Sequence, residues 1–112
     1  MRRLLLLALL TPLPALAHSD LRGSQPADGS SLAAGPTELR LSFQERVQLT
    51  LWRILGPDGT EQPFPRTRDL APRAEHLARA PELPPGEWRM EWRAISADGH
   101  PIGGTIRFTV QP

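Results

Sequence analysis

The chain has 112 residues, with 13 basic side chains against 12 acidic, three histidines, and neither cysteine nor tyrosine. The lack of cysteine excludes disulfides and thiolate metal sites. The near balance of charge excludes the clustered positive excess that nucleic acid or an anionic membrane surface would require.

Residues 1–17 read as a secretory signal. Arg2 and Arg3 form a basic start, residues 4–10 an apolar run, and Ala15-Leu16-Ala17 a signal-peptidase site of the A-x-A form. The apolar run is broken by Pro12 and Pro14 and falls short of the roughly 20 residues a membrane span needs, so no membrane insertion is expected after cleavage. Cleavage after Ala17 leaves residues 18–112, one domain with 11 arginines against 12 carboxylates, a net side-chain charge of −1. His18 then becomes the first residue, and its free α-amine and imidazole together can chelate a metal.

The next segments alternate in the manner of strands with one face on a core. Leu39, Leu41 and Phe43 share a face in residues 37–43, and Val47, Leu49 and Leu51 share one in the segment that follows. Trp52 and Ile54 then take over the apolar role, and this change of face predicts a bulge or bend near Trp52. Gly56-Pro57-Asp58-Gly59 is a turn. Residues 61–79 read as a long connection holding one short strand or helical turn around residues 75–79. His76 lies in this charged, poorly patterned stretch and is expected on the solvated surface.

After Pro84-Pro85-Gly86 comes the clearest strand, with Trp88, Met90, Trp92 and Ala94 on one face and Glu87, Arg89, Glu91 and Arg93 on the other. A last strand over residues 105–110 turns Ile106, Phe108 and Val110 inward. Short strands separated by proline and glycine turns, with no helical period, predict an all-β Greek-key antiparallel sandwich or barrel of immunoglobulin-like type.

The loop between the last two strands runs from Ser96 to Gly104, opening Ser96-Ala97-Asp98-Gly99-His100-Pro101, and its Asp98 and His100 are two residues apart, able to face one ligand. With His18 they offer three nitrogens and one oxygen, a set suited to tetragonal Cu(II) more than to tetrahedral Zn(II). Met90 is the only methionine after residue 17, too few for a thioether Cu(I) cluster. The bland reading stays open on these residues alone, because Asp98 can equally bond the backbone of its own turn.

The stretch from Gly86 to Val110, with its tryptophans and its Ser-Ala-Asp-Gly-His-Pro run, resembles the C-terminal signature of the CopC family of periplasmic copper-resistance proteins. The opening from His18 through Ser24-Gln25-Pro26-Ala27-Asp28-Gly29 resembles that family's N-terminus. Residues 37–47 are similar to its second strand region, with Arg46 where a proline is usual. The resemblance implies a periplasmic Cu(II)-binding protein, not an enzyme, with His18, Asp98 and His100 as ligands, acting in sequestration, resistance or delivery. It also implies a CopD-like inner-membrane copper transporter as partner, since such domains often occur beside or fused to one. A monomer is expected. Two other classes are weighed against it: a histidine-brace copper oxygenase, and an immunoglobulin-like interaction module without metal.

Overall fold

The computed structural model describes residues 21–112, and every element in it is a strand: β1 (Leu21–Gln25), β2 (Ser30–Leu32), β3 (Thr37–Leu55), β4 (Glu61–Gln62), β5 (Arg73–Ala80), β6 (Gly86–Ile95) and β7 (Pro101–Val110). The signal segment and His18 lie outside the described residues.

The 19-residue strand β3 organises the molecule. Its first half runs between β1 and β5, both antiparallel to it. Its second half runs between β4 and β6, and the layer continues through β7 to β2. β1 and β2 are consecutive in the chain yet lie at opposite ends of the strand order, so their connection crosses from one layer to the other. This gives the expected all-β sandwich.

Two irregularities let one strand serve two layers. Pairing of β3 with β5 is interrupted between Ser42 and Val47, where the chain changes layer. Further on, Leu49 pairs with Ala94 and Leu51 with Arg93, so Thr50 is an extra residue without a partner. A residue inserted in one strand of a pair reverses the facing of all that follow. The expected bulge is therefore real, but it falls at Thr50, ahead of Leu51. Leu51, expected inward with Val47 and Leu49, is turned outward and half-buried, while Trp52 and Ile54 enter the core.

The core follows the alternation. Leu39, Leu41 and Phe43 from one layer meet Trp88, Met90, Trp92 and Ala94 from the other, with Ile106, Phe108 and Val110 beside them. An aromatic edge joins the layers, with Phe43 edge-on to Trp92 at 5.1 Å between centroids, while Trp52 stands edge-on to Phe64 at 5.5 Å. Trp92 leaves no room opposite it, since a Cβ on Gly104 would come within 2.9 Å of its Nε1.

The weakly patterned middle resolves into β5, a full strand on the edge of the first layer. It pairs His76 with Leu41 and Leu77 with Arg40. That register corrects the expectation for His76, which is 7% exposed, while Leu77 is 60% exposed. The imidazole faces inward, edge-on to Phe43, with its Nε2 3.2 Å from the Val47 carbonyl oxygen.

Candidate metal centre

The turn joining β6 to β7 is built from local bonds. Ser96 N–H donates to the His100 carbonyl at 2.8 Å, and Gly99 N–H to the Ser96 carbonyl at 2.9 Å. Gly99 takes φ 91°, a left-handed conformation that a side chain would resist. The reversal this permits brings Asp98 and His100 together, with Asp98 Oδ2 3.1 Å from His100 Nδ1. Both remain open to solvent, Asp98 at 71% and His100 at 76% side-chain exposure.

Ser96 holds the carboxylate from the other side. Its hydroxyl donates to Asp98 Oδ1 and also lies 3.2 Å from the His100 backbone nitrogen. These bonds, with Ser96 contributing most and His100 next, hold the Asp98 carboxyl down at about 2, against an ordinary value near 3.8. The aspartate is thus an anion at any physiological pH, and its charge is available to a cation. Sequence reasoning gave Ser96 no role, although a serine two residues before an aspartate in a tight turn is a recognisable bonding pattern.

Two donors each about 2.0–2.1 Å from one ion, at right angles about it, lie roughly 2.9 Å apart. In the structure the Asp98–His100 pair, 3.1 Å apart, is joined by a hydrogen bond of similar length, which holds the two groups side by side on the turn. Among the described residues, no group of three or more His, Cys, Asp or Glu comes together, so the pair supplies only part of a coordination sphere. His76 is remote from it in function, its ring committed to Val47 and Phe43. Met90 is fully buried between the layers, so its thioether serves packing.

β1 runs antiparallel to β3 with its N-terminal end directed toward this turn: Leu21 pairs with Phe43, five residues before Gln48, whose partner Ile95 directly precedes Ser96.

The family model for the CopC domain matches residues 21–111. The chain belongs to the CopC family. Among relatives, copper resistance protein C of Escherichia coli is 36% identical over 109 residues, covering 87% of this chain and 84% of that protein. The copper transport protein CutJ of Bacillus subtilis is 29% identical over 112 residues, covering 96% of this chain but 20% of CutJ. Among solved structures, CopC from Methylosinus trichosporium OB3b superposes with a TM-score of 0.69 at 30% identity, over 85% of this chain and 95% of that one. PcoC, a methionine-rich copper resistance protein from Escherichia coli, gives 0.63 at 30% identity, over 82% and 97%.

Proposed function

We propose that this CopC-family chain binds Cu(II) in the periplasm through His18, Asp98 and His100, and sequesters it or hands it on without catalytic turnover. The observation that carries the reading is the convergence of an ionised carboxylate and an imidazole on one exposed turn, at the spacing of neighbouring donors on one ion. The relatives named for copper resistance and copper transport supply the metal's identity.

His18 is the residue that would complete the set: it lies three peptide steps before Leu21, a reach of about 10 Å when extended, and β1, antiparallel to β3, points its N-terminal end along β3 toward Gln48, the partner of Ile95. Its amine and imidazole would add two nitrogens to the oxygen of Asp98 and the nitrogen of His100, the tetragonal N/O set Cu(II) favours. A carboxylate within that plane argues for carriage over oxygen activation. With one buried methionine among residues 21–112, the cargo is Cu(II) and not Cu(I). CutJ, five times longer than the stretch it shares with this chain, contains a domain of this kind inside a protein named for copper transport. That arrangement supports a CopD-like inner-membrane transporter as the recipient.

The test is calorimetric titration of the exported protein with Cu(II), its first residue fixed by intact mass. One equivalent should bind more tightly than micromolar. His100→Ala, Asp98→Ala, and a single residue added before His18 should each weaken binding by at least about tenfold. Undiminished binding in the extended variant would refute the chelate.

A further inference from the structure

We propose that the free edge of β7 beside the metal-binding turn is a docking site for an extended acidic segment of a partner protein, which adds to the sheet as a further strand. Among the described residues, β2 covers β7 only at residues 108–110. Arg107 marks where that cover ends: its N–H donates to Asp28 Oδ1 at 2.9 Å, and its carbonyl accepts from Gly29 N–H at 2.6 Å.

Those two bonds fix which backbone groups lie along the remaining edge. In a strand, the N–H and C=O of one residue point to the same side, and those of its neighbours to the other. Since Arg107 turns both groups away from β6, so do Thr105 and Gly103, two and four residues earlier. β7 and β6 pair without a bulge over residues 101–110, so this alternation is unbroken. No other backbone bond of a described residue reaches Gly103 or Thr105. Natural sheets blunt such edges with charges, bulges or proline. Here Pro101 guards only the start of the strand, and Gly103-Gly104-Thr105 carries neither a charge nor a proline.

Charge selects the occupant. Row by row, Gly103 is paired with Arg93, and Arg93 with Leu51. Arg93 is exposed, and its stem lies against Gly103, its Cγ 3.4 Å from where a Cβ would stand. Glu91 is engaged by Arg53 and Arg89 together, at 2.8 and 3.1 Å, whereas Arg93 and Arg107 have no acidic partner among the described residues. A groove of about 630 Å³ runs over this face from Leu51 and Arg53 to Gly103 and Thr105, and ends at Ile95 and Pro101, the two feet of the Asp98–His100 turn. An added strand with acidic side chains outward would bond Gly103 and Thr105 through its backbone and meet Arg93 across the glycine. A second copy of this chain would instead set arginines against arginines. The inference requires no bound metal and stands apart from the copper reading.

Amide exchange and chemical-shift titration of the metal-free exported protein provide the test, with a short capped peptide alternating glutamate and valine as probe and a lysine–valine peptide as control. The acidic peptide should perturb Gly103 and Thr105 and slow their exchange by about tenfold or more, with the lysine peptide inert. Thr105→Pro, which removes one edge N–H but leaves the β6 ladder intact, should abolish the effect. Arg93→Glu should weaken the acidic peptide by about two- to fivefold, the scale of an exposed ion pair. Exchange already slow in the free protein, equal response to both peptides, or edge protection that appears only as the protein dimerises would each overturn the proposal.

Discussion

Ser96 shows how one hydroxyl prepares a site. By bonding Asp98 Oδ1 and lying within reach of the His100 backbone nitrogen, it fixes the turn in which Asp98 and His100 meet. Ser96→Ala should raise the Asp98 carboxyl from about 2 toward its ordinary value, readable by NMR titration, and weaken Cu(II) binding while the fold persists. Asp98 stays ionised down to that value, so its own protonation should not limit copper binding at mildly acid pH. His76 carries the opposite lesson. Burial pushes its pKa below the ordinary 6.5, with backbone bonds to Val47 and Arg73 opposing and the Arg73 and Arg66 charges adding to the depression. Below about 6.5 the unfolded chain therefore takes up a proton that the folded chain resists, so this contribution to stability is full above that pH and is lost as pH falls through the window beneath it. His76→Gln, which keeps a donor for Val47, should flatten the fall in urea midpoint between neutral and mildly acid pH. His76→Ala should cost about 1–3 kcal/mol at neutral pH, whereas a surface histidine would cost almost nothing.

At the scale of elements, the decisive object is the extra residue in β3. Alternation predicts that Leu49 and Leu51 share a face, and so they would in an unbroken ladder. Thr50 interposes, and only Leu49 reaches the core. Leu49→Ala should cost about 2–5 kcal/mol, and Leu51→Thr less than about 1 kcal/mol, by urea denaturation. Equal costs would mean that the bulge lies elsewhere. β5 was hardest to read because its alternation runs against hydropathy: the strand buries a histidine and exposes a leucine. No pattern within eight residues could reveal that, because the facing of an edge strand is set by the partner it pairs with. β6 and β7 were legible because their inward residues are all apolar and their outward ones mostly charged or small.

For the molecule as a whole, a ligand that binds only the folded state stabilises it by mass action, about 2.7 kcal/mol at a hundredfold excess over Kd. Cu(II) should therefore raise the Tm of the protein and leave that of Asp98→Ala, His100→Ala double variants nearly unmoved, as scanning calorimetry would show. The sequence by itself determined the strand-rich class, the inward faces of β6 and β7, and the identity of the turn that carries Asp98 and His100. Those properties are local: a period of two and a left-handed glycine are written in neighbouring residues. The tertiary structure alone decided that His76 is buried, that Leu51 faces outward, that no described residue covers β7 at Gly103 and Thr105, and that β1 points its N-terminal end toward the turn that carries Asp98 and His100. Each of these depends on which distant strand lies alongside and in what register, and cross-strand pairing is chosen by the packing of the whole core.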